Sequence, residues 1–225
     1  MDQDKTAAAE PPSQPQRTQV FVVRHGETVW NAAGRQQGQL DTALSELGAA
    51  QAAAIAERLS AAGIDVLYSS DLGRALQTAQ IIAQRLGLDV RLEERLRERH
   101  LGMLQGLTME EFRQRHGAEY ALFHGGDPDW ALPGGESIRQ RHDRAVAGAC
   151  DVAGRHPGQT VAIVTHGGVL ESLMRHTLGL GLDVPRRFSL FNASINTFGV
   201  AAGQWKLERW GITDHLRGLG TKDDW

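Results

Sequence analysis

Three short apolar runs, TQVFVV (18–23), IDVLYSS (64–70) and TVAIVT (160–165), constrain this 225-residue chain more than any other feature. Each is a near-continuous block rich in Val, Ile and Leu, the pattern of a strand buried on both faces. Helical patterns follow them. ELGAAQAAAIAERLSAA (46–62) is preceded by Ser45 as an N-cap, has Glu46 in its first turn, and has Gly63 just past its end. Leu72 to Leu86 carries Leu72, Ala75, Leu76, Ala79, Ile82, Ala83 and Leu86 as one stripe and stops at Gly87. VLESLMRHTLG ends on Gly179. Strands alternating with helices imply an α/β fold, a three-layer sandwich with a mainly parallel central sheet and helices on both faces.

The other segments fill in this frame. LDVRL (88–92) reads as a further strand, TMEEFRQRHG as a short helix stopped by Gly117, and Glu136 to Arg155 as a polar helix. His116 to Glu136 has no clear period, and the region around 106–135 is expected to form a small lid or wall in which Phe123 and Trp130 pack. FSLFNASINTFGVAAGQWKLERW has the alternation and turn residues of antiparallel edge strands, with Trp205 and Trp210 as packing residues. The polar, proline-containing stretch 1–17 is expected to be a flexible leader, followed by a single domain over 18–225.

With 24 basic and 27 acidic residues the formal charge is −3, and neither a basic arm nor an acidic tail is present. Nucleic acid and membrane are therefore not expected partners, and no segment approaches the ~18 uninterrupted apolar residues of a span. The one cysteine, Cys150, forms no internal disulfide and reads as a small buried hydrophobe in a reducing compartment, so a cytoplasmic protein is expected. An exposed sheet edge would support a homodimer.

In an open α/β sheet, ligands sit beyond the carboxyl ends of the strands. The first strand delivers Arg24, His25 and Gly26 there. The second delivers Ser69, Ser70 and, in the first turn of the next helix, Arg74; TVAIVT delivers Thr165, His166, Gly167 and Gly168. A lone histidine after a strand is an ordinary structural residue, and a lone arginine in a helix's first turn is an ordinary surface charge. Two arginines, two histidines and glycines that let backbone amides approach a ligand, all converging on one crevice, suit a phosphoryl group. Arginine forks onto phosphate oxygens, and neutral imidazole is a nucleophile near pH 7. The arginines argue against a metal, and no HxxxH or CxxC spacing supports one. There is no GxxxxGK[ST] loop, CDVAGR has four residues between cysteine and arginine where cysteine phosphatases have five, and DPDW follows no apolar strand.

VVRHGETVWN, YSSDLGRALQTA, LRERHLGMLQG and VTHGG, in that order, resemble the histidine phosphatase superfamily, also called the phosphoglycerate mutase-like family, over about Thr18 to Leu216. The resemblance implies His25 as the nucleophile that becomes phosphohistidine, with Arg24, Arg74 and His166 as its phosphate pocket. It implies Glu98 as the general acid, a residue that otherwise reads as a surface charge. Asn31, Gln37 and Gly38 fall at further phosphate contacts, and Gly167 offers a backbone donor. No metal or other cofactor is implied.

ERHLGMLQGLT is close to the family's mutase branch, which reads ERHYGGLQGLNK. Leu101 and Met109 replace the tyrosine and lysine that contact phosphoglycerate there, and ALFHGGD stands where that branch has an arginine pair. The interval from Gly106 to Gly135 is also short. The expected activity is hydrolysis of a small phosphomonoester, with phosphoglycerate mutase as the alternative. A non-catalytic phospho-ligand-binding protein is disfavoured by the presence of both His25 and Glu98. The seven other histidines, His100, His116, His124, His142, His156, His176 and His215, read as surface or capping residues.

Overall fold

The computed structural model describes residues 16–223, so the expected leader lies outside the described residues apart from Gln16 and Arg17. Arg17 pairs with Glu208. The central sheet has six strands: β1 (Thr18–Arg24), β2 (Val66–Ser69), β3 (Val90–Leu92), β4 (Thr160–Thr165), β5 (Ile195–Ala201) and β6 (Gln204–Ile212). Their spatial order is β3-β2-β4-β1-β5-β6. The first four in that order run parallel, and β5 and β6 add an antiparallel hairpin at one edge. The sheet is therefore mainly parallel.

Alternation in the strands assigns residues to two cores. Val20, Val22, Val161 and Ile163 face α6 (Ile138–Gly154) and α7 (Gly167–Leu178), packing on Ala145, Ala149, Leu170 and Leu173. Val23, Leu67, Ala162 and Val164 face α2 (Glu46–Leu59) and α3 (Gly73–Leu86), packing on Ile55, Leu59, Ala79 and Ile82. This makes the three layers. Each fully buried Val, Ile or Leu contributes roughly 1.5–3 kcal/mol.

The helix signals act as expected at most ends. Ser45 accepts the Gly48 amide as N-cap of α2, and Gly87 and Gly179 end α3 and α7 in the left-handed region. Gly48 also lets α2 sit directly on the loop after β1, since a Cβ there would lie 1.8 Å from the Glu27 carbonyl oxygen. Between them lies α1 (Val29–Ala32), a single turn closed by a Thr28/Asn31 capping box.

The region around 106–135 corrects one reading. Gly117 does not stop a helix; α4 (Met109–Arg115) ends at His116, and α5 (Gly117–His124) starts at once at Gly117. The segment has its own small core of Leu104, Phe112 and Leu132, against which Leu101, Met109, Phe123 and Trp130 pack. Its aromatics cluster by contact, not by period, which is why the sequence hides the second helix. Other corrections are smaller. Cys150 is half-buried, with Sγ 4.0 Å from His176 Nε2. His156 is buried, its Nε2 3.1 Å from the Tyr68 hydroxyl and its Nδ1 2.7 Å from Gln159 Oε1. Trp205 and Trp210 are five residues apart, an odd spacing that a regular strand would split between faces. Two register shifts in the β5–β6 pairing bring both onto the same core, against Phe198 and Phe188.

Candidate active site

Strand register builds the centre of the site. β1 and β4 are parallel neighbours with Arg24 opposite Thr165, so the residues that follow, His25 and His166, leave the sheet side by side. The His25 amide donates to the Thr165 carbonyl at 2.9 Å, and the two imidazole centroids are 5.2 Å apart. β2 flanks β4 on its other side and delivers Ser70, whose hydroxyl lies 2.9 Å from His166 Nε2. Arg24, His25, Arg74 and His166 are each no more than 3% exposed.

The His25 ring is oriented by its own backbone. Nδ1 lies 2.8 Å from the Gly26 carbonyl oxygen, which can only accept, so Nδ1 carries the hydrogen and Nε2 keeps its lone pair. Arg74 Nε is aimed at that lone pair from 3.3 Å. Burial, then the charges of Arg74 and Arg24, hold the His25 pKa well below 6.5. Burial and Arg74 do the same to His166. Both rings are thus neutral at pH 7, and the imidazole that can attack is Nε2 of His25. Its main chain is clamped from behind, where the His25 carbonyl accepts from the Ala193 amide at 3.2 Å and Asn192 Nδ2 at 3.3 Å. Ala193, fully buried, is held at φ 58°, a strained conformation kept by its surroundings.

Arg74 is fixed by loop 38–41. Its Nη2 donates to the Gly38 carbonyl at 2.7 Å, and its Nη1 donates to the Leu40 carbonyl at 3.1 Å and to Asp41 Oδ1 at 3.2 Å. Arg24 donates through Nη1 to the Leu190 carbonyl. Asp41 also caps α3 from outside, accepting the Gly73 amide at 2.5 Å where Leu72 at the N-cap offers no side-chain acceptor. Nothing in the sequence pairs Asp41 with an arginine 33 positions on. Asp41→Ala is expected to lower kcat/KM by ~10-fold, since it removes a charge-assisted bond to a buried guanidinium. Asp41→Asn should recover part of that. A KM that rises while kcat holds in both variants would put the effect on binding alone.

Glu98 is not a free surface charge. It is half-buried, its Oε1 accepting the Arg99 amide at 2.7 Å and its Oε2 accepting the Gly168 amide at 2.9 Å in the first turn of α7. The Glu98 carbonyl accepts from Gln39 Nε2 at 3.0 Å and Arg144 Nη2 at 3.3 Å. A Cβ on Gly168 would come within 2.2 Å of Glu98 Oε1, so the carboxylate's seat requires glycine. The Gly168 amide is thus engaged by Glu98, while Gly167, the residue expected to offer a phosphate donor, opens α7 beside it.

The weaker candidates lie in the second rank. Gly38 contributes its carbonyl to Arg74, and buried Gln37 is contacted by the Thr42 hydroxyl at 3.3 Å. The Asn31 Oδ1 is used in the α1 capping box and lies 3.5 Å from Asn192 Nδ2, one residue removed from the His25 carbonyl. Among the described residues, no cluster of His, Cys, Asp and Glu is arranged to hold a metal ion, and no helix is long and apolar enough to cross a membrane.

A neutral imidazole flanked by two buried guanidiniums and a second imidazole, at the carboxyl ends of parallel strands, defines an enzyme that moves phosphoryl groups. The chain belongs to the histidine phosphatase superfamily (branch 1), which it matches over residues 20–213. It is 40% identical to phosphoglycerate mutase-like protein 4 of Arabidopsis thaliana over 206 residues, 90% of this chain and 88% of that protein. It is 41% identical to a metal-independent phosphoserine phosphatase of the same plant, over 90% of this chain and 85% of that one. The solved structure of a mycobacterial glucosyl-3-phosphoglycerate phosphatase superposes with a TM-score of 0.75 at 35% identity, covering 88% of this chain and all of that one.

Proposed function

We propose that this enzyme hydrolyses a small phosphomonoester in two steps at His25. The carrying observation is the fixed Nε2 lone pair of His25 between Arg24, Arg74 and His166. The two arginines and His166 hold the equatorial phosphoryl oxygens while Nε2 forms its bond to phosphorus and the ester P–O bond breaks. Glu98, held by the Gly168 amide two residues after His166, gives its proton to the departing alcohol. It then takes one from the water that attacks phosphohistidine, releasing inorganic phosphate and restoring the neutral ring. No step calls for a metal.

Hydrolysis is favoured over return of the phosphoryl group to the product alcohol by what Leu101 and Met109 do. Both pack into the Leu104–Phe112–Leu132 cluster, so the wall there offers no hydroxyl or ammonium to retain a phosphorylated acid. Relatives named as phosphatases of phosphoserine and of glucosyl-3-phosphoglycerate support the same choice. The test is incubation with 3-phosphoglycerate and a catalytic amount of 2,3-bisphosphoglycerate. Free phosphate is the expected main product; rapid 2-phosphoglycerate formation with little free phosphate would replace this reading with a mutase.

A further inference from the structure

Gln51 is fully buried in the alanine-rich helix α2, and nothing in the apolar pattern of that helix calls for it. A buried amide is costly unless its polar groups are paired. Both ends of this one are. The Glu27 amide donates to Gln51 Oε1 at 2.9 Å, and Gln51 Nε2 donates to the Gly220 carbonyl at 2.8 Å. A backbone N–H only donates and a carbonyl only accepts, so the two bonds fix which way the side-chain amide points. Gln51 stands three residues beyond Gly48, on the face of α2 that meets the loop after β1.

The peptide that Gln51 grips is the one that orients the nucleophile. The Glu27 N–H and the Gly26 carbonyl are two ends of one planar unit, and the Gly26 oxygen is the acceptor for His25 Nδ1. The unit before it is held as well. Its carbonyl, that of His25, accepts from Ala193 and Asn192, and its N–H, that of Gly26, donates to Thr78 Oγ1 at 3.1 Å. Thr78 is fully buried in α3, and its hydroxyl hydrogen goes to the Arg74 carbonyl at 2.9 Å, so its oxygen is left to accept. Gly26 admits no side chain, because a Cβ there would lie 2.4 Å from the Gly48 carbonyl oxygen. The two peptide units after the imidazole are thus pinned by two helices, α2 through Gln51 and α3 through Thr78.

Pinning matters most during the reaction. As Nε2 bonds to phosphorus, the ring becomes positively charged in a pocket that already holds two guanidiniums. Burial and the charges of Arg74 and Arg24 oppose a charged ring, whereas the bond to Gly26 favours it. A hydrogen bond strengthens when its donor becomes charged, and a carbonyl whose own peptide N–H is engaged is the better acceptor. The Nδ1–H bond to Gly26 therefore gains strength on the way to the transition state, provided that the carbonyl cannot turn away.

We infer that Gln51 and Thr78 are positioning residues for phosphoryl transfer, a two-helix clamp that keeps the Gly26 carbonyl on His25 Nδ1 while the imidazole takes on charge. This rests on the phosphohistidine reading of His25. All four bonds of the clamp go to main-chain groups. Its removal should slow the chemistry while the pocket still binds phosphate.

Two quantities test this: the single-turnover rate of nitrophenol release from p-nitrophenyl phosphate with enzyme in excess, and the inhibition constant of inorganic phosphate. Gln51→Met and Thr78→Val are each expected to lower the rate by ~10-fold and to leave the inhibition constant unchanged. Thr78→Ser, which keeps the hydroxyl, should recover most of the rate. Thr78→Val exchanges a hydroxyl for a methyl group of similar size and decides the matter should Gln51→Met fail to fold. Rates unchanged in folded variants overturn the inference. So does phosphate affinity that falls in step with the rate, which would make the clamp a general support of the fold. A wild-type enzyme that released neither nitrophenol nor phosphate would take down the phosphohistidine reading and this inference together.

Discussion

Replacing His25 with alanine is expected to reduce phosphate release from every ester by a factor on the order of 10⁴ or more, because no other group supplies the attacking lone pair. His166 is the one alternative imidazole in the pocket, and its geometry disqualifies it. Its Nε2 is engaged with the Ser70 hydroxyl and its Nδ1 is buried without a partner, whereas His25 Nε2 faces the Arg74 guanidinium that would hold the phosphoryl group. Brief exposure of the wild-type enzyme to labelled substrate and rapid quenching should trap an acid-labile phosphoryl label, and His25→Ala should trap none. A variant that kept its label or its turnover would remove His25 from the chemistry. His166→Ala should instead still be labelled, more slowly, since it loses a phosphate contact and keeps the nucleophile.

The lone pair at His25 shows where the sequence is eloquent and where it is silent. RHG and THGG follow strands that composition alone marks, and parallel pairing of those strands suffices to bring His25 and His166 to within 5.2 Å. Arg74 is legible for a similar reason, as it stands in the first turn of a strongly striped helix. Glu98 is not legible in this way. LRERH is a cluster of charges with no period, and its carboxylate is singled out only by the Gly168 amide 70 positions later. Asp41 is hidden for the same reason: its partner Arg74 comes from a helix whose approach is set by packing. The 106–135 region was readable in outline only. Its aromatics make a separate small core, and the α4–α5 junction at His116 and Gly117 carries none of the usual stop signals beyond the glycine that misleads.

Removing the Glu98 carboxylate should divide the two chemical steps, and this tests its role more sharply than loss of activity does. Both carboxylate oxygens accept backbone amide hydrogens, so glutamine would set a side-chain donor against a donor and disturb the Gly168 turn. Glu98→Ala is the cleaner change. Alkyl phosphates need a proton on the leaving oxygen, and their kcat/KM should fall by roughly 10²–10⁴, the usual contribution of a general acid. p-Nitrophenyl phosphate needs none, because its phenolate leaves unaided, so phosphorylation of His25 should stay fast. The second step still lacks its base. The variant should therefore give a rapid burst of nitrophenol, stoichiometric with enzyme, and then turn over slowly as phosphohistidine accumulates. A uniform loss on alkyl and aryl esters without a burst would make Glu98 a structural anchor of the α7 turn. Unimpaired steady-state turnover of the aryl ester would leave the water-activating step to another group.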